Sequence, residues 1–170
     1  MKLKKPTVYK GIFNVFEDNR GFLSTLDLEL IFKSVPNLKF APCYQLMSFN
    51  SKKNTFRGMH YQKKPFAQNK LIIIHQGEIT DLAVEIESPK VKNVLSFELS
   101  AGDAIFIPEN FAHGFVSKTD NVHMQYFLDE KFSKKNYEVI NCNNYLKKVF
   151  PDVDLIVSNQ DQETNNALIL

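Results

Sequence analysis

Phe56-Arg57-Gly58-Met59-His60-Tyr61-Gln62, followed shortly by Ala67-Gln68-Asn69-Lys70-Leu71, is the stretch on which the reading of this chain turns. It gathers a guanidinium, an imidazole, side-chain amides and an ammonium just ahead of the apolar run Leu71-Ile72-Ile73-Ile74. β-Branched and apolar runs of this kind favour a pleated sheet. The stretch therefore reads as a polar site carried on a rigid wall. Along the extended segment, Arg57 and Gln62 alternate with His60 and are expected to share its face.

Most of the chain follows the same β pattern. Thr7 to Phe16 reads as a strand that ends in the turn Glu17-Asp18-Asn19-Arg20-Gly21, where Asn and Gly suit a tight reversal. Asp27 to Ser34 carries apolar residues at helical spacing and is halted before Pro36. Cys43 to Asn50, Lys70 to His75, Ile79 to Ile86, Val94 to Leu99, Ala104 to Ile107, Gly114 to Ser117 and Val122 to Leu128 read as strands separated by polar turns. Alternation within Ile79 to Ile86 turns Ile79, Leu82 or Val84, and Ile86 toward a core, and Ser88-Pro89-Lys90 breaks that strand. Pro108 to His113 reads as a rigid loop. Beyond Lys131 the pattern loosens, and Asn159 to Asn166 is a polar tail expected to fray past Gln162. Many short strands at this spacing predict a mainly β sandwich or barrel with a few short helices, built as one domain over residues 1–170.

Composition limits the function. The 170 residues suffice for one ordinary core, and a net charge of +2 supplies no field for nucleic acid or a membrane surface. Fifteen Phe and six Tyr with only six Gly describe a packed aromatic interior. Cys43 and Cys142 show no zinc or redox spacing and read as free buried thiols of a reducing compartment. The basic start Met1 to Pro6 has no apolar core of a signal peptide, so a cytoplasmic location is expected.

The four histidines can be weighed one by one. His75, at the end of an apolar strand, reads as structural, and His123 divides evenly between structure and function. His60 and His113 stand out, the first beside Arg57, the second after a loop where strand ends carry function. A metal reading is disfavoured, because the position that would complete a chelating pair with His60 is Gln62. Arg20 and Arg57 are the only arginines among 21 cations, and each is followed by Gly, which lets backbone approach a ligand closely. A planar guanidinium fork next to such a backbone suits phosphate.

Phe56 to Gln62, Ala67 to Leu71, Gln76-Gly77-Glu78 and Ile107-Pro108-Glu109-Asn110-Phe111-Ala112-His113-Gly114-Phe115 together resemble the dTDP-4-dehydrorhamnose 3,5-epimerase family. Asp18-Asn19-Arg20-Gly21-Phe22 and Ser158-Asn159-Gln160-Asp161 look like its terminal motifs. The resemblance implies a cupin-type jelly roll, a homodimer with strand exchange, and no metal or other cofactor. It implies proton exchange beside the 4-keto group of a sugar linked to a nucleoside diphosphate. His60 then matches the base, Asp161 its orienting carboxylate and Lys70 the group facing the enolate oxygen. Arg20, Arg57 and Gln45 match diphosphate and nucleotide contacts, with Phe22 and His113 at the cleft.

The departures are specific. By resemblance, a proton-donating tyrosine is expected six residues after Tyr126, where this chain has Phe132, so Tyr137 or a water becomes the candidate acid. Thr25 and Met47 stand where the family carries Glu and Asn, which leaves dTDP and GDP, and hexose and heptose, open. A C3- or C5-epimerase, or both, is the leading reading. A 3,4-ketoisomerase and a sugar-nucleotide-binding homologue of impaired activity are the alternatives.

Overall fold

Apolar runs and polar turns alternate through the chain, and a computed structural model, which describes residues 5–34, 40–86 and 94–162, folds them into two stacked sheets. In chain order the strands are β1 (Thr7–Tyr9), β2 (Asn14–Asp18), β3 (Gly21–Thr25), β4 (Tyr44–Asn50), β5 (Thr55–Gln62), β6 (Lys70–Gln76) and β7 (Glu78–Glu85). They continue as β8 (Val94–Ser100), β9 (Ala104–Ile107), β10 (Phe111–Ser117), β11 (Val122–Leu128), β12 (Tyr137–Val139) and β13 (Ile156–Val157). Three short helices, α1 (Leu28–Ser34), α2 (Asn143–Val149) and α3 (Asn159–Gln162), complete the described elements. One sheet runs β1-β9-β6-β11-β4, the other β12-β5-β10-β7-β8 with β13 against β5, and β2-β3 forms a separate hairpin. This is a cupin-type β-sandwich, mainly β with few helices, as expected.

The core has three layers. Ile72 and Ile74 of β6, Met124 and Tyr126 of β11, Ala83 of β7 and Phe115 of β10 meet between the sheets. Outside the first sheet, Leu71 and Ile73 pack against Ile31 of α1. Outside the second, Leu82 and Val84 lie under Leu146 of α2. A central strand is thus covered on both sides. That is why β7 is buried along nearly its whole length instead of showing the expected alternation. Each large apolar side chain so enclosed contributes roughly 1.5–3 kcal/mol.

Other differences have local causes. Thr7 to Phe16 is not one strand: Asp103 draws in Lys10 Nζ at 2.7 Å and the Gly11 amide at 3.2 Å, and Gly11 turns at φ +58°. The loop after Pro108 is shorter than expected, because strand β10 begins at Phe111 and carries His113 within it, paired with Ala83. Asn159 to Gln162 forms a helical turn with Asp161 buried. The expected fraying past Gln162 and the break at Ser88-Pro89-Lys90 lie outside the described residues. Cys142 is buried but Cys43 is exposed. Among the described residues, no helix is long and apolar enough to cross a membrane.

Candidate active site

A cavity of about 510 Å³ opens between the sheets, a size suited to a small organic ligand. Arg57, His60, Lys70, His113, Tyr126 and Tyr137 line it. Strand alternation explains how so many polar groups point inward. Lys70 shares the inner face of β6 with Ile72 and Ile74, and Tyr126 that of β11 with Met124 and Leu128. From the opposite sheet, His113 shares the inner face of β10 with Phe111 and Phe115.

Arg57 and His60 stand three apart and would face opposite sides of a regular strand. The register resolves this. His113 pairs with His60 and Phe115 with Arg57, so β5 has three residue steps against two on β10. A bulge of this kind turns both side chains to one face. Gly58 sits at its centre at φ +147°, and a Cβ there would lie 2.5 Å from the Gly114 Cα. This glycine serves the approach of two strands, where the sequence suggested the approach of a ligand. Arg57 is held by its own Nε, which donates to Asn50 Oδ1 at 2.7 Å. Gln62 uses its amide to tie down the neighbouring loop, donating to the carbonyls of Phe66 and Lys131 at 2.7 and 3.1 Å and accepting from Ser133 N. Its role is architectural.

His60 Nε2 lies 2.7 Å from Asp161 Oδ1, and that carboxylate is buried. The helical turn α3 places it, with the Asp161 amide donating to the Ser158 carbonyl at 3.0 Å. Lys70 is only 7% exposed and donates from Nζ to the His60 carbonyl at 3.1 Å. Burial pushes its ammonium down to about 8, while the charge of Asp81 pulls it back up. His113 Nε2 is 2.6 Å from Asp81 Oδ2, both residues being buried. Burial raises the Asp81 carboxyl, opposed by His113 and Lys70. The Tyr126 phenol is raised above the ordinary tyrosine range, by burial first and then by Asp81, so it stays protonated. Tyr137 is raised by burial and by Asp161.

Most of the expected site residues meet here. His60, Asp161, Lys70, Arg57, His113, Phe132 and Tyr137 form or adjoin the cavity. Tyr137 stands beside the base on the same sheet, its ring centroid 5.3 Å from that of His60. Phe132 is 55% exposed at the rim, edge-on to Tyr137. Arg20, Phe22 and Gln45 do not reach the cavity of their own chain. Arg20 pairs with Asp18 at the hairpin turn, Phe22 is exposed on that hairpin, and Gln45 faces the outer side with its partner Phe127.

Two residues were missed, Asp81 and Tyr126. Both had a signal: Asp81 falls in step with the apolar Ile79 and Ala83, and Tyr126 in step with Met124 and Leu128. An ionisable or phenolic group at an inward position of a buried strand needs a partner or a purpose. Among the described residues, no three His, Cys, Asp or Glu side chains converge as a metal site would require.

Similarity to known proteins places the chain among isomerases that act on sugar nucleotides. The chain belongs to the dTDP-4-dehydrorhamnose 3,5-epimerase family, whose model matches residues 3–167. The enzyme of that name from Shigella flexneri is 36% identical over 124 residues, covering 71% of this chain and 68% of the relative. The Salmonella typhimurium enzyme is 37% identical, covering 70% and 67%. Among solved structures, dTDP-4-dehydrorhamnose 3,5-epimerase from Bacillus anthracis with TDP and PPi bound superposes with a TM-score of 0.77 at 27% identity, covering 93% of this chain and 91% of that one. The Sulfolobus tokodaii enzyme gives 0.68 at 29% identity, covering 86% and 82%.

Proposed function

We propose that the protein epimerises a dTDP-linked 4-keto-6-deoxy sugar at C3, C5 or both, by removing a proton on one face and returning one on the other. The observation that carries this is the placement of His60 and Tyr126 on opposite sheets across one cavity. A proton beside a ketone is weakly acidic, so its removal needs a positioned base and stabilisation of the developing enolate oxygen. His60 is the base. With Asp161 accepting the Nε2 hydrogen, Nδ1 is the basic nitrogen, and the carboxylate steadies the imidazolium that forms. Lys70, an ammonium in a dry pocket, faces the enolate oxygen.

Inversion requires an acid on the other face. Tyr126 fits, since it reaches the cavity from the sheet opposite His60 and its phenol stays protonated. Tyr137 is less suited because it lies beside the base. Phe132 therefore does not leave the pocket without a donor. At the rim, its exposed ring offers a flat face on which a nucleobase can stack. Arg57, with its terminal nitrogens unpaired among the described residues, takes the diphosphate. The nucleotide is drawn from the relatives: the Bacillus anthracis structure holds TDP, which favours dTDP over guanosine.

The chain acts as a homodimer in this reading. Val15, Phe16, Phe22 and Leu23 of the β2-β3 hairpin are exposed, and an apolar hairpin of this kind is suited to cover a second copy. Arg20 and Phe22 would then serve the partner's cavity.

Incubation of the protein with a dTDP-4-keto-6-deoxy sugar in heavy water tests the chemistry. Deuterium is expected at C3 or C5 by NMR, and none with His60→Asn. If no 4-keto sugar nucleotide exchanges at either carbon, the reading fails. A product with the carbonyl moved to C3 and no inverted centre would favour the ketoisomerase instead.

A further inference from the structure

The proton transfer uses His60, Asp161, Lys70 and Tyr126, and it leaves a buried acid unexplained. Asp81 lies at the middle of β7, fully enclosed, on the inner face otherwise made of Ile79 and Ala83. Oδ2 accepts from His113 Nε2 at 2.6 Å, yet Oδ1 has no hydrogen-bond partner among the described residues. A buried carboxylate with an open oxygen is retained only where a nearby charge compensates it. Arg57, His60 and Tyr61 of β5, His113 of β10, Tyr44 of β4, Tyr126 of β11 and Tyr137 of β12 line the cavity with Lys70, and two carboxylates lie directly behind this lining, Asp161 2.7 Å from His60 and Asp81 2.6 Å from His113. The Asp81 charge raises the Lys70 ammonium against the larger effect of burial, and Lys70 in turn lowers the Asp81 carboxyl.

We propose that Asp81 is a positioning residue for the reaction: it fixes the tautomer of His113 and supplies the negative charge that holds Lys70 as an ammonium at the reacting carbonyl. With the Nε2 hydrogen committed to Asp81, His113 keeps Nδ1 as its acceptor. Lys70 has one N–H committed to the His60 carbonyl and keeps donors for the oxyanion. The inference deepens the epimerase reading and rests on it.

Asp81→Asn tests the charge while keeping the shape, since an amide oxygen still accepts from His113. The wild-type rate of exchange is expected to fall on the alkaline side as Lys70 loses its proton near 8. In Asp81→Asn that limb moves at least about one pH unit lower and the maximal kcat drops at least tenfold, with KM little changed. Lys70→Met removes the limb, and adding Asp81→Asn to it costs little further activity. A coincident pH profile, or an equal loss in the Lys70→Met background, overturns the proposal.

The Lys70 ε-carbon can also be titrated by NMR without substrate, its signal assigned by its loss in Lys70→Met. A titration that moves down in Asp81→Asn supports the charge role even if no sugar exchanges, so the two readings fail separately. Should Asp81→Asn not fold, the same coupling is read from the other side. Lys70→Met then takes up a proton on Asp81 at a higher pH than the wild type does, and an unchanged uptake overturns the proposal.

Discussion

Lys70→Met separates the energetic cost of the site from its use. The ammonium is enclosed, and burial lowers its proton affinity from the ordinary lysine value of 10.5 to about 8. At about 1.36 kcal/mol per pH unit, that gap corresponds to about 3 kcal/mol of strain on the charged form in the folded protein. The sign follows from proton counting. Between about 8 and 10.5 the unfolded chain still binds a proton that the folded protein has released, so stability rises with pH across that window. Below about 8 both states hold the proton and the whole penalty is present.

Methionine has no proton to lose. The stability of the wild type relative to Lys70→Met should therefore climb by about 3 kcal/mol between the two ends of the window. Tyr126, Tyr137 and Cys142, whose acid groups are raised by burial, work in the opposite sense at alkaline pH. They are common to both proteins and cancel in the difference. Urea unfolding of the pair at a series of pH values reads the effect. A difference that stays flat from neutral to strongly alkaline pH would refute the claim that Lys70 is held charged in a dry pocket.

Two further outcomes are expected. Gly58→Ala should destabilise the fold by at least about 1–3 kcal/mol, as overpacking does, because its Cβ meets the Gly114 backbone at 2.5 Å and the position is at positive φ; a thermal midpoint within a degree or two of wild type would contradict the strand-approach role. Phe16→Glu combined with Leu23→Glu places charge on the exposed hairpin and should convert a dimer into monomers by light scattering, with activity lost as Arg20 and Phe22 leave the partner's cavity; a wild type that is already monomeric and fully active contradicts the shared site.

Much of this was legible in the sequence, for physical reasons. Runs such as Leu71 to Ile74 and Val122 to Leu128 carry the strand signal in their own side chains, and Leu28 to Ser34 its helical period. His60, Arg57 and Lys70 were found because polar groups crowded beside an apolar strand are rare. What stayed hidden depends on contacts distant in sequence. The bulge that aligns Arg57 with His60 is set by the backbone of Gly114, and the double burial of β7 by α2.

Tyr126 and Asp81 were passed over because each sits inside a strand that reads as core, and only the stacking of two sheets shows that this face is also a cavity wall. For the same reason the sequence alone points to position 132 and Tyr137 as the source of the acid. Arg20, Phe22 and Gln45 mark the opposite limit. They carry the resemblance clearly, yet in a single chain they point away from the site.

Tyr126→Phe in heavy water is the most direct measurement of the two-faced mechanism. With the base intact and the opposite donor gone, His60 can remove a proton and return a deuteron on the same side. The account predicts deuterium at C3 or C5 of recovered substrate with inversion reduced at least about a hundredfold. Inversion at the wild-type rate in Tyr126→Phe, or its loss in Tyr137→Phe instead, would contradict it.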